Sequence, residues 1–355
     1  MTSAMRVWKP RLLIDGERQD GVEACSFHIE CTRYERCDTA RIRVSVRDKP
    51  TIYAFFESRS GLNRPEICLQ MAQDASGGTN WQTVFHGVLD AVGQADGSSL
   101  LELECRDYMA SLLDTRIASS WANQTALDIV REAVISAGLG FESDPSIANV
   151  GPYCGQFWQL EHRRLASTTQ NRYQTAFDLA YSLARDHGFE CHAQGKTVKL
   201  HRPYAAGEGG MRVFSPAGVT IRSFRRDLGL TGDVVVGVYS WDSRQRARSA
   251  IYYDGERYST DAPRSGAALY TFRAPGQRMD DIRRLARGKY ARIVSHALEA
   301  RVTLPAIAGL GPRHFMTLRE GPFAQPLTLA IDSVVHLCDP VMGYRQEVVL
   351  RDRVF

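Results

Sequence analysis

Two hydrophobic periods alternate along this chain and divide it into regions. Between Asn123 and Pro203 the helical period dominates. Tyr173, Ala176, Phe177, Ala180, Leu183 and Ala184 recur at the i, i+3, i+4 spacing of one buried helical stripe. His187 falls in the last turn, and Gly188 can take the left-handed conformation that ends a helix. Phe189, Cys191 and Ala193 then alternate with polar residues, Gln194-Gly195 turns the chain, and Val198 and Leu200 alternate again. The expected unit is a helix feeding a hairpin. A second helix precedes it: Thr125 with Asp128 has the form of a capping box, and Leu127, Val130 and Val134 share a face before Gly138.

On both sides of this segment the period is two. Cys25, Phe27, Ile29 and Cys31 alternate, as do Ile42, Val44 and Val46, and Ile67, Leu69 and Met71. Further strands are expected over Val84 to Val92 and Leu101 to Cys105, with glycine turns at Asp15, Ser60, Gly77 and Asp96. From Val7 to Arg116 the pattern therefore predicts β-structure, a barrel or a sandwich. After a Gly-rich linker, Ala205 to Gly210, strands resume at Met211 to Phe214, Val219 to Phe224 and Val234 to Trp241. Ala250 to Gly276 is turn-rich and gives no strand order. A helix is expected from Met279 to Ala297, with Ile282, Leu285, Ile293 and Val294 on one face. The fold class is α+β, mainly β.

A weak repeat links the two β regions. GVLDAVGQADGSSLLELECRD, ending at Asp107, is echoed by LAIDSVVHLCDPVMGYRQEVVLRD, ending at Asp352. In both, an apolar residue precedes Asp (Asp90, Asp332), a small residue and Val follow, and an alternating strand closes on Arg-Asp (Arg106-Asp107, Arg351-Asp352). Taken alone, the echo fits two barrels of common architecture and equally two unrelated hairpins of similar form.

The order of helix with Gly138-Leu139, spacer, helix with His187-Gly188-Phe189, and hairpin closing on Leu200-His201-Arg202-Pro203 resembles the middle of phage tail hub proteins of the late control D family. That family shares architecture with the first part of type VI secretion spikes. TARIRVSV, FHGVLDAV and LLELECRDYMASLLDTR resemble its first tube-type barrel. LPAIAGLGPRHFMTLREG and the closing residues resemble its final barrel, where a strand ends in Val-x-His and Gly-Tyr precedes the last strand. His336, Gly343 and Tyr344 occupy those places.

The resemblance implies two tube-type antiparallel β-barrel domains, 1–118 and 205–355, around a helix–helix–hairpin segment, 119–204, with a late amphipathic helix in the second barrel. It implies a structural baseplate hub in the virion, assembled in the host cytoplasm. Such a hub forms a homotrimeric, pseudo-sixfold ring that joins the tail tube to the central spike. The implied partners are the tail tube or distal tail protein, the central spike, the tape-measure protein and baseplate wedge proteins, with DNA passing transiently through the channel. Alternatives of other kinds are a tail-associated cell-wall hydrolase and the hub part of a type VI or related contractile spike. A spike protein would add a long repetitive extension, and none is read before Phe355.

Composition narrows the picture only a little. The 355 residues carry 44% hydrophobic and 24% charged side chains, ordinary for a soluble globular protein of about two domains. A net charge of +4 argues against a main task of gripping nucleic acid. No apolar run approaches the ~18 residues needed to span a membrane. MTSAMRVWKPRLLIDG has no apolar signal core, so folding in a cytoplasm is expected.

Candidate chemistry is thin. Gly195-Lys196-Thr197 ends like a phosphate loop, but six residues rather than four separate Gly188 from Gly195, and the helix precedes instead of following. A hairpin turn is expected. Cys25, His28, Cys31 and Cys37 invite zinc, yet on a strand Cys25 and Cys31 lie about 20 Å apart and His28 points the other way. Cys68, Cys105, Cys191 and Cys338 sit among strand residues as buried thiols, and Cys154 lies in a loop. Glu161-His162 reads as a surface pair and His336 as a structural strand residue. No nucleophile elbow or zinc-protease helix is present, so no catalytic, cofactor-binding or metal residue is assigned. Arg222, Arg225 and Arg226 with Arg244, Arg246 and Arg248 make a basic region near Phe224, Tyr239 and Trp241, expected to face solvent or a neighbouring subunit. Arg283, Arg284, Arg287, Lys289 and Arg292 line the polar side of the late helix in the same way.

Overall fold

The structure is a computed structural model. It describes residues 8–59, 64–73, 80–94, 100–117, 121, 124–147, 173–186, 188–242, 247–263, 266–274, 277–322 and 325–353. Cys154, Glu161, His162, His187, Arg244 and Arg246 lie outside the described residues.

The first β region contains β1 (Trp8–Ile14), β2 (Val22–Thr32), β3 (Thr39–Val46), α1 (Lys49–Glu57), β4 (Glu66–Gln73), β5 (Trp81–Gly93) and β6 (Leu100–Asp107). Its strands pair in the order β1-β4-β5-β6-β3-β2, antiparallel throughout. Alternation sends Ile14, Ile29, Ile42, Leu69, Leu101 and Leu103 into one core. Two details differ from the pattern in the sequence. A bulge at Cys25 resets the alternation of β2, so that Val22 and Phe27 both point inward. The stretch after β3 is helix α1, because Asp48 caps it by accepting from Thr51 N at 3.3 Å and Pro50 sits in its first turn.

The middle region opens with α2 (Met109–Asp114), also absent from the β-only expectation, and continues with α3 (Ala126–Ser136) and β7 (Gly140–Ser143). Then come α4 (Ala176–Asp186), β8 (Glu190–Gln194) and β9 (Thr197–His201). Thr125 Oγ1 accepts from Asp128 N at 3.1 Å, as the capping box requires, and Thr175 caps α4 through Asp178 N at the same distance. Gly138 and Gly188 follow the two helices at φ 75° and 73°. The hydrophobic stripes of α3 and α4 share one core with Met109, Leu112, Cys191, Val198 and Leu200.

The second β region starts with β10 (Val213–Phe214) and β11 (Thr220–Arg226). A separate sheet follows: β12 (Val234–Asp242), β13 (Ala247–Tyr253), β14 (Tyr258–Ser259) and β15 (Ala268–Arg273), ordered β14-β13-β12-β15 with β15 parallel to β12. This resolves the stretch whose strand order the sequence left open. Its core of Val236, Val238 and Ile251 is covered by Ile282 and Ala286 of α5 (Met279–Val294), which stops three residues short of the expected end. The main sheet then resumes with β16 (Leu298–Pro305), β17 (Phe315–Leu318), β18 (Leu327–Asp339) and β19 (Gly343–Arg351).

The path of this second region is β10-β17-β18-β19-β16-β11. It matches the first strand for strand, β18 standing for β5, β19 for β6, β16 for β3, β17 for β4 and β11 for β2. One difference is that β10 pairs parallel to β17, whereas β1 is antiparallel to β4. The inserted sheet and α5 lie between β11 and β16, where the first region has only residues 33–38. Among the described residues no strand pairing closes either half into a barrel. The halves instead join through β2 and β18 as one 12-stranded sheet.

Candidate assembly interface

The β2–β18 junction is where the two repeats meet. The pairing runs antiparallel from Ser333 opposite Thr32 to Cys338 opposite Phe27. Strand β18 is long enough to serve two neighbours on one edge: Leu327 to Ala330 pair with β17, and Ser333 to Cys338 pair with β2. The changeover happens at a bulge, where Asp332 is the extra residue between Ile331 and Ser333. In the first half Asp90 is the extra residue between Leu89 and Ala91, at the matching place. Equivalent backbone bonds flank both bulges: Leu89 N donates to Pro65 O at 3.0 Å, and Ile331 N donates to His314 O at 2.8 Å.

The bulge aims each aspartate at an arginine on the next strand. Asp90 is held by Arg106, whose Nη2 donates at 2.9 Å, and by Arg64, and its side chain stays 22% exposed. Asp332, fully buried, lies 3.5 Å from Arg351 Nε and accepts from Arg353 at 2.5 and 2.9 Å. The first repeat then closes over it: Tyr34 Oη donates at 2.8 Å, Arg33 Nη1 lies 3.7 Å away, and Arg33 N donates to the Asp332 carbonyl at 2.9 Å. Burial opposes the Asp332 charge, but Arg353, Arg33 and Tyr34 outweigh it and hold the carboxyl below its ordinary pKa. Burial, then the neighbouring Asp332, pushes Tyr34 up to about 12.

Glu190 of β8 brings the middle region into the same node. Arg33 Nη2 donates to it at 2.7 Å and Arg313 Nε lies 3.2 Å away. Burial would raise its pKa, yet these two guanidinium groups keep it lowered. A buried pair of this kind gives little net stability, but losing one member leaves the others uncompensated. Its present arrangement fixes how the first, middle and second regions sit on one another.

A second polar group sits higher on β18. His336, 5% exposed, lies with Nδ1 2.8 Å from Tyr344 Oη and receives Gln346 Nε2 at 3.2 Å. Gln346 is itself oriented by Ile307, accepting from its N at 2.9 Å and donating to its O at 3.0 Å. That orientation makes Nδ1 an acceptor and fixes the neutral ring. Burial pushes the pKa of His336 down to about 4. Its contacts among the described residues are a phenol and an amide, with no carboxylate to make an acid–base pair.

The remaining sequence candidates are dispersed. Gly195, at φ 56°, and Lys196 form the β8–β9 turn, and Lys196 pairs with Glu66 of β4. Burial opposes the Glu66 charge, but Lys196, His86 and Tyr108 draw its pKa down to about 2. The lysine thus docks the middle hairpin on the first sheet. Cys25 and Cys31 lie along β2, and among the described residues no group of three or more His, Cys, Asp or Glu converges as a metal site. Burial pushes the Cys191 thiol up to about 12 and raises Cys31 and Cys105 as well.

The described arginines of the basic region have separate partners. Arg222 donates to Thr303 at 3.0 Å, Arg225 lies 3.7 Å from Asp227, and Arg248 stacks 4.3 Å from the Tyr239 ring on the inserted sheet. On α5, Arg292 bonds Glu35 of the first region at 3.2 Å, so part of this expected outward face is used within the chain. The Arg33–Glu190–Arg313 node had no signal in the sequence, since its members are scattered charged residues whose burial only the fold reveals.

No family model matches the chain, and no curated protein matches it. Its fold matches solved structures of phage tail proteins. A tail protein from Neisseria meningitidis MC58 superposes with TM-score 0.64 at 11% identity, over 97% of this chain and 96% of that one. The 43 kDa tail protein of prophage MuSo2 from Shewanella oneidensis gives TM-score 0.61 at 12% identity, covering 98% of this chain and all of that one (100%). An Escherichia coli component of the type VI secretion system, similar in structure to T4 bacteriophage tail proteins gp27 and gp5, gives TM-score 0.56 at 12% identity, over 97% of this chain and 79% of that one.

Proposed function

We propose that the chain is a structural baseplate hub of a phage tail, acting in the virion after assembly in the host cytoplasm. Three copies form a pseudo-sixfold ring that joins the tail tube to the central spike and leaves a channel for the genome. The observation that carries this reading is the repeated sheet path, with Asp90 and Asp332 at the same bulge. Two equivalent units per chain on a threefold axis supply six positions, the number a hexameric tube ring presents. The units correspond to 1–118 and 205–355, with 119–204 as a brace between them. The fold likeness to tail proteins supports the same assignment.

In this reading the protein is not an enzyme and takes no cofactor. Its partners are copies of itself, the tail tube or distal tail protein, the spike, the tape-measure protein and wedge proteins, with DNA touching it only in passage. The hub part of a type VI spike is a second reading, favoured by the Escherichia coli likeness over 97% of this chain.

Light scattering on the purified protein tests the assembly. Three chains of 39.7 kDa, or about 119 kDa, are expected. A particle of six chains, or a monomer at every concentration, would remove the basis for the ring.

A further inference from the structure

Each chain leaves one half of its internal junction unused at either end. Strand β2 spends its outer edge on β18, but among the described residues β11, its counterpart, is the last strand of the sheet and pairs only with β16. Strand β18 spends the edge beyond its bulge on β2, but β5, its counterpart, pairs with β4 only through Glu66 opposite Val88 to Ala72 opposite Trp81. Beyond the Asp90 bulge, Ala91 and Gly93 are exposed on an edge with no strand partner among the described residues. Exposed unpaired edges invite strand addition, and natural sheets protect them.

The shared register fixes what the counterpart pairing would be. Cys105 and Leu350 stand opposite Leu89 and Ile331, just before the two bulges. They also stand opposite Ala40 and Ala300. Ala40 and Ala300 in turn face Ile29 and Phe224. Thr32 therefore corresponds to Asp227, Cys31 to Arg226 and Glu30 to Arg225, while Ser333, Val334 and Val335 correspond to Ala91, Val92 and Gly93.

We propose that β11 of one copy adds antiparallel to the upper half of β5 in the next copy, with Ala91 opposite Asp227, Val92 opposite Arg226 and Gly93 opposite Arg225. This deepens the ring reading and rests on it: the contact between chains repeats the contact within the chain. Each copy then offers one strand and receives one, a head-to-tail interface that closes into a ring.

The residues around the two edges fit that role. Leu228 corresponds to Arg33, whose N donates to Asp332 O at 2.9 Å, so Leu228 N meets the carbonyl of Asp90 in the next copy. Its side chain is 77% exposed in the single chain and becomes covered there. Asp90 needs no third arginine from the neighbour, because Arg64 and Arg106 already hold it. β11 is exposed along most of its length in the single chain, unlike β2, which matches an edge still awaiting its strand.

Disulfide trapping tests the register. In the double variant Gly93→Cys/Arg225→Cys the two positions are directly opposite across chains, within the ~4.4–6.8 Å Cα separation that a disulfide spans. A Cβ at Gly93 meets nothing within 4 Å, and Arg225 is 80% exposed, so the reduced variant is expected to melt with the unsubstituted protein. Oxidation should convert the double variant to covalent trimer on a non-reducing gel, at least tenfold above either single variant. Gly93→Cys/Ser223→Cys, displaced by about 7 Å along the strand, should stay at the single-variant background. A trimer by light scattering with no covalent species, or with equal trapping of the displaced pair, overturns the strand pairing and leaves the ring reading standing. Monomer alone overturns both.

Discussion

Asp332→Ala is expected to destabilise the folded chain by about 3–5 kcal/mol, the cost of breaking a buried charge pair. The equivalent Asp90→Ala should cost about 1 kcal/mol or less in the isolated chain, as ion pairs open to solvent do. The two aspartates sit at equivalent bulges, and each faces an arginine on the equivalent neighbouring strand, Arg106 on β6 and Arg351 on β19. What separates them is the neighbour: Asp332 lies under Arg33 and Tyr34 of the adjoining repeat and is 0% exposed, whereas the Asp90 side chain is 22% exposed. Removing Asp332 leaves Arg33, Arg351 and Arg353 facing one another without their common counter-charge. Urea denaturation of the two variants measures the difference. Equal losses would mean that the Asp332 node does not hold the repeats together.

Acidification gives the second large effect. His336 is kept neutral with its pKa pushed down to about 4, against 6.5 for the unfolded chain. Between those values the unfolded state binds more protons, so stability is full above pH 6.5 and falls as pH drops toward 4. The loss attributable to this ring is about 3 kcal/mol. Burial also lowers His192, His201 and His314, so the whole protein loses more than His336 alone accounts for. Asp332, Glu190 and Glu66, with lowered pKa values, add their loss only as pH falls through the carboxylate range. His336→Gln removes the titration while keeping a polar group beside Gln346. The stability curves of the two proteins should converge as pH falls from 7 to 4, by about 3 kcal/mol. Parallel curves would show that His336 is not the buried neutral group assigned here.

Much of this arrangement was legible before the fold. The Thr125–Asp128 cap, the stripe ending before Gly188 and the Gly195 turn are local features, and local chemistry decides them. The repeat around Asp90 and Asp332 was also visible, because a bulged aspartate and an Arg-Asp strand end leave a sequence trace. Helix α1 escaped although Asp48 and Pro50 signal a helix start, since alternating strands on both sides drew that stretch into the β pattern. Strand β12 was expected over Val234 to Trp241, but the order of its partners escaped for a different reason. β15 runs parallel to β12, a pairing decided by tertiary contact that no turn motif announces. Cys25 was misphased because a single bulge shifts every side chain before it to the other face.

The Arg33–Glu190–Arg313 node had no such trace. Its members come from the β2–β3 connection, the middle hairpin and the loop before β17, more than 100 residues apart in places: 157 separate Arg33 from Glu190. Charged residues at those positions look like solvated surface until the three regions are packed.

The central claim is a ring of three chains built from six matching sheet units, and cryo-electron microscopy of the assembled particle tests it most directly. The expected view along the axis has six similar β units but only threefold symmetry. The inserted sheet of β12–β15 with α5 should appear beside every second unit, because it interrupts the β11–β16 connection and not the β2–β3 connection. A map with the insertion at all six positions, or with the Asp90 and Asp332 hairpins in unlike places around the axis, would contradict the account.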